Sequence, residues 1–369
     1  MRTGFVGVCC CLLFVSSVSC LDVAEGRAKR DLEIGHGQAD GLRVDVNEGL
    51  AAIRTFNADE IGLWASAPTL SIKLTTGEKS KSGLRLRLEN TLKDASLSAK
   101  TKDGTPVVVT LVESPHPTEH VFRFDAPAKE TLTLTLSAPD EADLSPFRVA
   151  MYADVQEALP KVQDIYRKMN DTPGIRFALI SGDLTSRGSP EELELFQHEM
   201  KSLEFPCFST LGNHELGTRD DLYQFYFGRA NSSFEFRGVR FSLIDSASAT
   251  VDPLVREWLD EWLRLGQDNL HIATMHLPPL DPVGSRNGAF ANRAEADDLL
   301  SALAAGHVDL TVYGHIHSYY LFENAGIPAH ITGGGGAIPE RLDGVGRHFL
   351  TIDLRPPNTL VNVAVVRVD

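Results

Sequence analysis

Two patterns of apolar residues divide the chain into an N-terminal and a C-terminal part. Between residues 41 and 140, apolar and polar residues alternate, as in Leu84-Arg85-Leu86-Arg87-Leu88 and in the stretch 131–136. Alternation with a period of two predicts half-buried antiparallel strands. Turn-forming pairs such as Thr76-Gly77 separate these runs. About 100 residues of short alternating strands predict an all-β, immunoglobulin-like sandwich at residues 41–140.

From residue 145 to 369, continuous apolar runs replace the alternation. Such runs are typical of strands that helices cover on both faces. The predicted fold class of this part is therefore a layered α/β domain. The predicted helices lie between the runs, at 155–169, 190–203, 253–265 and 292–305, and Pro253 and Asn292 are typical of helix starts. The apolar runs are Phe147–Ala153, Phe177–Ile180, Phe205–Leu211, Val239–Ile244, Leu270–Met275 and Val308–Tyr313.

The first twenty residues have the pattern of a targeting segment. Arg2 is basic, residues 4–15 are apolar, and small residues precede Cys20. The apolar stretch has the length of a signal-peptide core and is too short for a membrane span. Residues 1–20 are thus a signal peptide or a bacterial lipoprotein signal that leaves Cys20 as a lipid anchor. We expect an exported, periplasmic or cell-surface protein. Residues 21–40, with the charged run Arg27-Ala28-Lys29-Arg30-Asp31, are predicted to be a solvated polar linker.

Composition excludes some functions and leaves others open. The 50 acidic and 35 basic residues give a net charge of −15, so no nucleic-acid-binding surface is expected. Four of the five cysteines lie within the first twenty residues, so Cys207 has no partner for an internal disulfide. Trp258 and Trp262 are four residues apart on a predicted helix and are expected to pack in its core. The oligomeric state stays open.

Five short polar motifs follow apolar runs of the C-terminal part. In open α/β sheets, ligands bind beyond the carboxyl ends of the strands, so residues far apart in sequence can converge there. Asp154 and Asp183 are the carboxylates of this set, and a carboxylate can bridge two hard cations. The motifs are Ala153-Asp154-Val155-Gln156, Ser181-Gly182-Asp183-Leu184, Gly212-Asn213-His214-Glu215, Met275-His276-Leu277-Pro278 and Gly314-His315-Ile316-His317.

The amide and imidazole side chains complete a candidate two-metal site. Asn213 offers an amide oxygen, and the adjacent His214 points elsewhere and can act as a proton donor. His315 and His317 are alternate residues, so in extended backbone they reach into one cleft. With His276 they offer the neutral imidazoles that suit Zn, Fe or Mn, while carboxylates favour harder ions such as Mn.

With these motifs in order, residues 147–369 resemble the calcineurin-like metallophosphoesterase superfamily. The resemblance implies two packed mixed β-sheets flanked by helices, here preceded by the small all-β sandwich domain. It implies two divalent or mixed-valence metal ions (Mn, Fe or Zn) and a small-molecule phosphate-ester substrate. Hydrolysis would proceed through a hydroxide that bridges the two metals.

The resemblance also implies roles for individual residues. Asp154, Asp183 and His317 would hold the first metal, and Asp183 would bridge to the second. The second metal would be completed by Asn213, His276 and His315. His214 would be the general acid beside the leaving group.

Two positions, Gln156 and Ser186, depart from the patterns of related families, whereas Arg187 stands where protein Ser/Thr phosphatases have an Arg against phosphate. Gln156 stands where the superfamily usually has His, so it would be a weaker metal ligand. Ser186 stands where purple acid phosphatases have Tyr and protein Ser/Thr phosphatases have Asp, so neither of those groups is matched. Arg187 is either a phosphate clamp or a surface-turn residue.

The segment Ser181–Gly188 is more similar to phosphodiesterase members than to purple acid phosphatases. We therefore expect a metal-dependent phosphoesterase that favours diesters, and a phosphomonoesterase or nucleotidase is the alternative. A surface binding protein with a decayed catalytic site is a third hypothesis, and Gln156 is its only support. The sequence does not name the natural substrate.

Overall fold

A computed structural model describes residues 20–217, 219, 221–284, 288–340 and 344–368 of the chain. The targeting segment predicted at residues 1–20 lies outside this part, except for Cys20. The helices are α1 (Cys20–Asp31), α2 (Gln163–Asn170), α3 (Pro190–Met200), α4 (Leu222–Phe227), α5 (Pro253–Gly266) and α6 (Arg293–Ala305). Short 3₁₀ turns cover Asn47–Gly49, Gln156–Lys161 and Asn213–Leu216. None of the helices described is both long and apolar enough to cross a lipid bilayer.

The strands fall into two groups along the chain. The first group is β1 (His36–Ala39), β2 (Leu42–Val46), β3 (Ala51–Phe56), β4 (Glu60–Ala65), β5 (Leu70–Thr76), β6 (Lys81–Glu89), β7 (Ser96–Lys100), β8 (Pro106–Val107), β9 (Val109–His116), β10 (Glu119–Ala126) and β11 (Thr131–Ser137). The second group is β12 (Phe147–Tyr152), β13 (Ile175–Ser181), β14 (Cys207–Thr210), β15 (Ser232–Phe236), β16 (Val239–Ile244), β17 (Leu270–Met275), β18 (Leu310–Tyr313), β19 (Tyr319–Asn324), β20 (Ile327–Thr332), β21 (His348–Arg355) and β22 (Thr359–Arg367).

The first group forms two β-sheets with a shared apolar core. One sheet has the order β1-β2-β5-β11-β7-β8 and the other β3-β4-β6-β10-β9, and all pairs except β4–β6 are antiparallel. Within β6, Leu84, Leu86 and Leu88 are at most 1% exposed, whereas Arg85 and Arg87 form ion pairs at the surface. The alternation in the sequence thus separates core from solvent, and the predicted all-β part of the fold is confirmed.

The second group forms two mixed sheets that helices flank. Their strand orders are β14-β13-β12-β21-β22 and β15-β16-β17-β18-β20-β19. Strands β12, β13 and β14 are parallel to one another, as are β16, β17, β18 and β20. The predicted fold class, two packed mixed sheets after an all-β sandwich, is confirmed. The domain boundaries at 41–140 and 145–369 stay predictions.

Local sequence signals set the starts of three helices. The Ser189 hydroxyl caps α3 by accepting from the Glu192 backbone, in a reciprocal capping box. Asp252 and Asn292 cap α5 and α6 in the same way through their side-chain oxygens. The helix predicted at 155–169 is instead a 3₁₀ turn followed by α2, and Pro160, which cannot donate a backbone hydrogen bond, lies inside that turn.

The prediction of a polar linker at residues 21–40 is wrong, because this segment contains α1 and β1. Arg27 of α1 is fully buried and donates to Asp245 from Nε (2.7 Å) and Nη2 (3.2 Å). Asp31, also buried, accepts the backbone N–H groups of Ala230 and Asn231, both at 3.0 Å. The charged residues that suggested solvation are therefore the groups that dock this helix on the C-terminal sheets.

A buried amide joins the sandwich to the sheet that carries β12–β14. The Asn90 side chain donates to the Cys207 carbonyl (2.7 Å) and accepts the Cys207 N–H (2.9 Å). Cys207 is the first residue of β14, which is an edge strand. Asn90 thus satisfies backbone groups of an edge that would otherwise lie buried without partners.

Candidate metal centre

The predicted ligands follow parallel strands that end at the same side of the molecule. Asp154, Asp183 and Asn213 come after β12, β13 and β14, which are neighbours in one sheet. His276 and His315 come after β17 and β18, which are neighbours in the other sheet. The two packed sheets therefore bring these five side chains together at their carboxyl ends, as expected for an α/β site.

Several residues of the site have left-handed backbone conformations that non-glycine residues rarely adopt. The φ angles are +63° at Asp154, +45° at Gln156, +54° at Asp183 and +69° at His315. Such strain persists only where the surrounding structure fixes it, and it clusters at functional sites. Gly212 explains one constraint, since a Cβ there would lie 2.1 Å from Asp183 Oδ1. The turn after β14 must consequently lack a side chain for Asp183 to keep its position.

A buried carboxylate oxygen without a donor marks the centre of the cluster. Ligand atoms of Asp154, Asp183 and His276 all lie within 4.8 Å of one another, and the three residues are buried. Asp154 Oδ2 accepts the His315 backbone N–H at 2.9 Å. Asp154 Oδ1 has no hydrogen-bond partner in the part of the chain that the structure covers. Because an unpaired buried carboxylate oxygen is costly, this arrangement fits a bound cation.

Backbone carbonyls orient two of the imidazoles toward the cluster. His276 Nδ1 donates to the Ser181 carbonyl at 2.8 Å, and its Nε2 lies 3.0 Å from Asn213 Oδ1 and 3.2 Å from Asp183 Oδ2. His317 Nδ1 donates to the Ile338 carbonyl at 2.7 Å. Fixing Nδ1–H in this way makes Nε2 the nitrogen that faces the aspartates and that carries the lone pair of the neutral ring.

The remaining predicted ligands complete a ring around the two aspartates. His317 Nε2 lies 3.4 Å from Asp154 Oδ1. His315 Nδ1 lies 2.9 Å from Asn213 Oδ1, the same oxygen that faces His276. The structure thus brings Asp154, Asp183, Asn213 and the three histidines together. The donor set, carboxylates with imidazoles and one amide oxygen, fits divalent Mn, Fe or Zn.

Asp183 and His276 shift each other's pKa values. Burial by itself would raise the pKa of Asp183, but the facing His276 and, after it, His214 together outweigh burial and lower it. Burial opposes the charged form of His276, yet Asp183 raises the pKa of its imidazole to about 9. A proton on His276 therefore supplies the positive charge that these ligands require. A metal cation at the same place would displace that proton.

Gln156 turns its amide nitrogen toward the cluster. Its Nε2 donates to Asp183 Oδ2 at 2.8 Å and lies 3.2 Å from His317 Nε2. An amide N–H cannot coordinate a cation, so coordination through the oxygen would need a half-turn of this amide. The assignment of Gln156 as a metal ligand stays a prediction.

His214 is held at the edge of the cluster, and Arg187 lies outside it. The His214 backbone N–H donates to Asp183 Oδ1 at 3.0 Å, and its Nδ1 donates to the Ser186 carbonyl at 2.6 Å. Its Nε2 then lies 3.9 Å from Asp183 Oδ2. Arg187 is exposed, and its backbone N–H bonds the Glu192 carboxylate. Its role as a phosphate clamp stays a prediction.

Glu215 is a site residue that the sequence reasoning missed. It is 1% exposed, and its carboxylate accepts from the N–H groups of Asp183, Gly212 and Thr185 and from the Thr185 hydroxyl. Burial, and secondarily Asp183, raises the pKa of Glu215 to about 7. Only the ionised form accepts all four donors, so these bonds favour the carboxylate. Only half of a local signal was present, because Glu215 stands three residues after Gly212 and accepts its N–H as in a capping box, but glycine has no side chain to complete the box.

Comparison with known proteins finds one family model and one relative that are similar to the C-terminal part of this chain. Residues 147–319 match the sequence model of the calcineurin-like phosphoesterase family. The chain is 27% identical over 158 residues to a 3',5'-cyclic-nucleotide phosphodiesterase of Nostoc sp., an alignment that covers 40% of this chain and 58% of that protein. The chain therefore spans less than two thirds of this relative's length.

A solved structure supports the fold independently. The structure of the purple acid phosphatase PPD1 from yellow lupin (Lupinus luteus) seeds superposes with a TM-score of 0.50 at 14% identity, over 81% of this chain and 72% of that chain. At this identity the likeness concerns the fold alone. It extends beyond the family match, because 81% of the chain includes residues before 147. Together these findings confirm the resemblance inferred from the five motifs.

Proposed function

Because residues 147–319 match the sequence model of the calcineurin-like phosphoesterase family, we propose that the protein is an exported, metal-dependent phosphodiesterase. Hydrolysis of phosphoester bonds is the activity that this match supports. The preference for diesters, the substrate and export are the proposal. The observation that carries the chemistry is the buried cluster of Asp154, Asp183 and His276, with the unpaired Asp154 oxygen at its centre.

The chain offers two overlapping sets of metal ligands. Asp154, Asp183 and His317 would hold one ion, and Asp183 with Asn213, His276 and His315 would hold the other. When bound, such a pair of ions would neutralise the phosphoryl oxygens and lower the pKa of a nearby water. The same residues exclude bulk solvent, since Asp154, Asp183 and His276 are at most 1% exposed.

His214 is the residue placed to move a proton. Its Nδ1–H is committed to the Ser186 carbonyl, so Nε2 is the nitrogen that faces the cluster. A proton on Nε2 can pass to the departing alkoxide oxygen and assist bond cleavage. Because a carbonyl rather than a carboxylate holds Nδ1, the ring keeps its orientation without a permanent negative charge beside the phosphate. That lack of an extra carboxylate is compatible with an anionic substrate.

Two observations support a diester substrate. The Nostoc relative is named a 3',5'-cyclic-nucleotide phosphodiesterase, and 158 residues of this chain align with it. A diester carries one negative charge, whereas a monoester carries more than one at neutral pH. The chain has a net charge of −15, and the only cationic side chain in the motif after β13 is the exposed Arg187. We therefore propose a cyclic or linear nucleotide diester as the substrate class, with monoesters as the alternative.

Export is supported by sequence alone. The apolar stretch 4–15 and the small residues before Cys20 have the order of a signal peptide or a lipoprotein signal. If Cys20 carries a lipid, the short helix α1 leads directly to the buried Arg27, so the catalytic sheets would lie close to the membrane surface. Fractionation of cells that express the full chain, beside a Cys20→Ser variant, tests both statements. Cytoplasmic protein in both cases would refute export.

The activity is tested with a pair of chromogenic substrates. Hydrolysis of bis-p-nitrophenyl phosphate and p-nitrophenyl phosphate is measured with added Mn²⁺ and with chelator, together with 3',5'-cyclic AMP. We expect faster, chelator-sensitive cleavage of the diesters, and a loss of several orders of magnitude in Asp183→Asn with the fold retained. Faster cleavage of the monoester would replace the proposal by a phosphatase or nucleotidase. No cleavage of any substrate by metal-loaded protein would favour the binding-protein hypothesis.

A further inference from the structure

A large cavity lies between the sandwich and the C-terminal sheets, and none of the predicted metal ligands lines it. Its volume is about 590 Å³, which is in the range of small-molecule sites. The sandwich contributes Leu70 of β5 and Leu136 of β11, and the other side contributes Phe234 of β15 and the helix α5. Junctions between domains are common places for ligand sites.

Arg229 lines this cavity with a guanidinium that has no partner. Within the described residues it forms no ion pair and no hydrogen bond, and its Nε is buried. Gly49 presses against it, since a Cβ at Gly49 would lie 2.2 Å from Arg229 Nε. Its guanidinium carbon also lies 6.0 Å from the centre of the Trp258 ring. Packing against Gly49 and Trp258 therefore holds the guanidinium of Arg229 in place, while its N–H groups remain available to a ligand.

Burial makes this arrangement unfavourable without a counter-charge. Burial lowers the pKa of Arg229, and Asp31 and Glu48 oppose that change only from a distance. Arg229 is partly buried, with its Nε fully so, and a guanidinium in such a place normally pairs with a carboxylate or phosphate, often through two parallel hydrogen bonds. An anion bound in the cavity would supply the counter-charge that Arg229 lacks.

Two tryptophans in the lining indicate the shape and polarity of the part of the ligand that does not contact Arg229. Trp258 and Trp262 lie one turn apart on α5, and both line the cavity while their inner edges pack on the core. The expectation that they pack in the core thus holds for one side of each ring only. A second arginine, Arg240, also lines the cavity and has a buried, unpartnered Nε, although its other nitrogens bond Ser233 and Glu235. Indole faces favour a flat, apolar body.

Acidic residues at the cavity limit the charge of that ligand. Glu48, Glu141 and Glu257 line it and are exposed, whereas Glu235 and Glu261 are paired with arginines. Exposed carboxylates repel a multiply charged anion more than a singly charged one. The lining therefore disfavours a phosphate dianion and tolerates one carboxylate.

We propose that this cavity is a binding site for a flat aromatic monocarboxylate, whose carboxylate pairs with Arg229 and whose ring lies against Trp258 and Trp262. The site is separate from the metal centre and does not depend on the phosphodiesterase proposal. It requires the sandwich, because β5 and β11 form one wall.

Calorimetry with three naphthalene compounds tests the proposal on the purified protein. 2-Naphthoate, 2-naphthamide and 2-naphthylmethylammonium share one ring system and differ in charge. We expect 2-naphthoate to bind about tenfold to a hundredfold more tightly than the amide, since one charge-assisted pair distinguishes them. Arg229→Gln should remove that difference, and Arg229→Lys should restore part of it. Arg167→Gln, which changes an exposed arginine on α2 that does not line the cavity, is the matched control and should leave binding unchanged.

Further titrations test two points: whether the compounds bind in this cavity rather than at the metal centre, and whether the ring contributes to binding separately from the charge. A carboxylate could bind a metal ion, so the titration is repeated with chelator and with Asp183→Asn, and the affinity should stay the same. Trp262→Leu should weaken all three compounds alike. Equal binding of the amide, tighter binding of the ammonium compound, or unchanged binding by a folded Arg229→Gln would each overturn the proposal.

Discussion

Replacing Glu215 by Gln tests whether one buried carboxylate holds the metal-binding loops together. Glu215 Oε2 accepts the N–H groups of Asp183 (2.9 Å) and Gly212 (2.8 Å). Its Oε1 accepts the Thr185 N–H (2.9 Å) and hydroxyl (3.0 Å). In the variant, one oxygen becomes an NH₂ group that can only donate. The least costly orientation places NH₂ beside Thr185, whose hydroxyl can turn to accept.

The cost follows from the bonds that remain. One buried backbone N–H of Thr185 loses its acceptor, at about 1–3 kcal/mol, and the bonds from Asp183 and Gly212 lose their charge assistance. We expect the free energy of unfolding to fall by about 2–4 kcal/mol, which a domain of ordinary stability survives. Because Asp183 then loses part of its support, kcat should fall by about tenfold to a hundredfold, as for other residues that orient metal ligands.

The assay combines urea unfolding in chelator with the rate of bis-p-nitrophenyl phosphate cleavage in Mn²⁺. Chelator removes the contribution of metal binding to stability, so the two readouts are separate. Glu192→Gln is the matched control, because Glu192 accepts the backbone N–H of Arg187 at a partly exposed helix start. It should change stability by less than about 1 kcal/mol. Unchanged stability and activity in Glu215→Gln would refute the role of this carboxylate.

Three more predictions concern other parts of the molecule. Gln156→His should tighten binding of the second Mn²⁺ equivalent, measured by calorimetry, because an imidazole would replace an amide that now donates to Asp183; unchanged stoichiometry and affinity would count against a site at Gln156. Burial lowers the pKa of His271 to about 3, so below its unfolded value of about 6.5 only the unfolded chain binds this proton. The stabilisation that this neutral imidazole provides is thus complete above pH 6.5 and decreases as the pH is lowered, with a loss of about 2 kcal/mol at pH 5. The free energy of unfolding, measured by denaturation across pH 5–7.5, should therefore depend less on pH in His271→Gln. Arg27→Met should cost about 3–5 kcal/mol in unfolding free energy by leaving Asp245 buried without its partner, whereas a solvated linker would tolerate it.

The convergence of the predicted ligands could be inferred from the sequence because strand ends are local features. Asp154 and Asp183 each follow an apolar run, and parallel strands of one sheet must end at one edge, so their convergence needed no long-range information. Gln156 was recognised as a departure, but the direction of its amide depends on its contacts with Asp183 and His317, which lie far away in sequence.

The predictions that were wrong or incomplete concern charged residues that are buried in the folded protein. The charged residues Arg27 and Asp31 were interpreted as solvated, since pattern rules count charges as surface residues. Their partners Asp245 and Asn231 are more than 190 residues away, and no local signal identifies them. Glu215 was overlooked for the same reason, because a carboxylate that accepts backbone N–H groups resembles an ordinary polar turn residue in sequence.

The docking of α1 changes how the sandwich is attached to the rest of the protein. The chain leaves the catalytic sheets at α1, builds the sandwich, and returns at β12, so the sandwich is a loop closed at both ends. A module on one linker relies on its packed contacts alone to keep its orientation, whereas a module held at both ends is also restrained by the chain. The pairing of Arg27 with Asp245 therefore adds a restraint on the sandwich to the contact that Asn90 makes with Cys207. Cutting the chain between α1 and β1 would release that restraint without removing any residue.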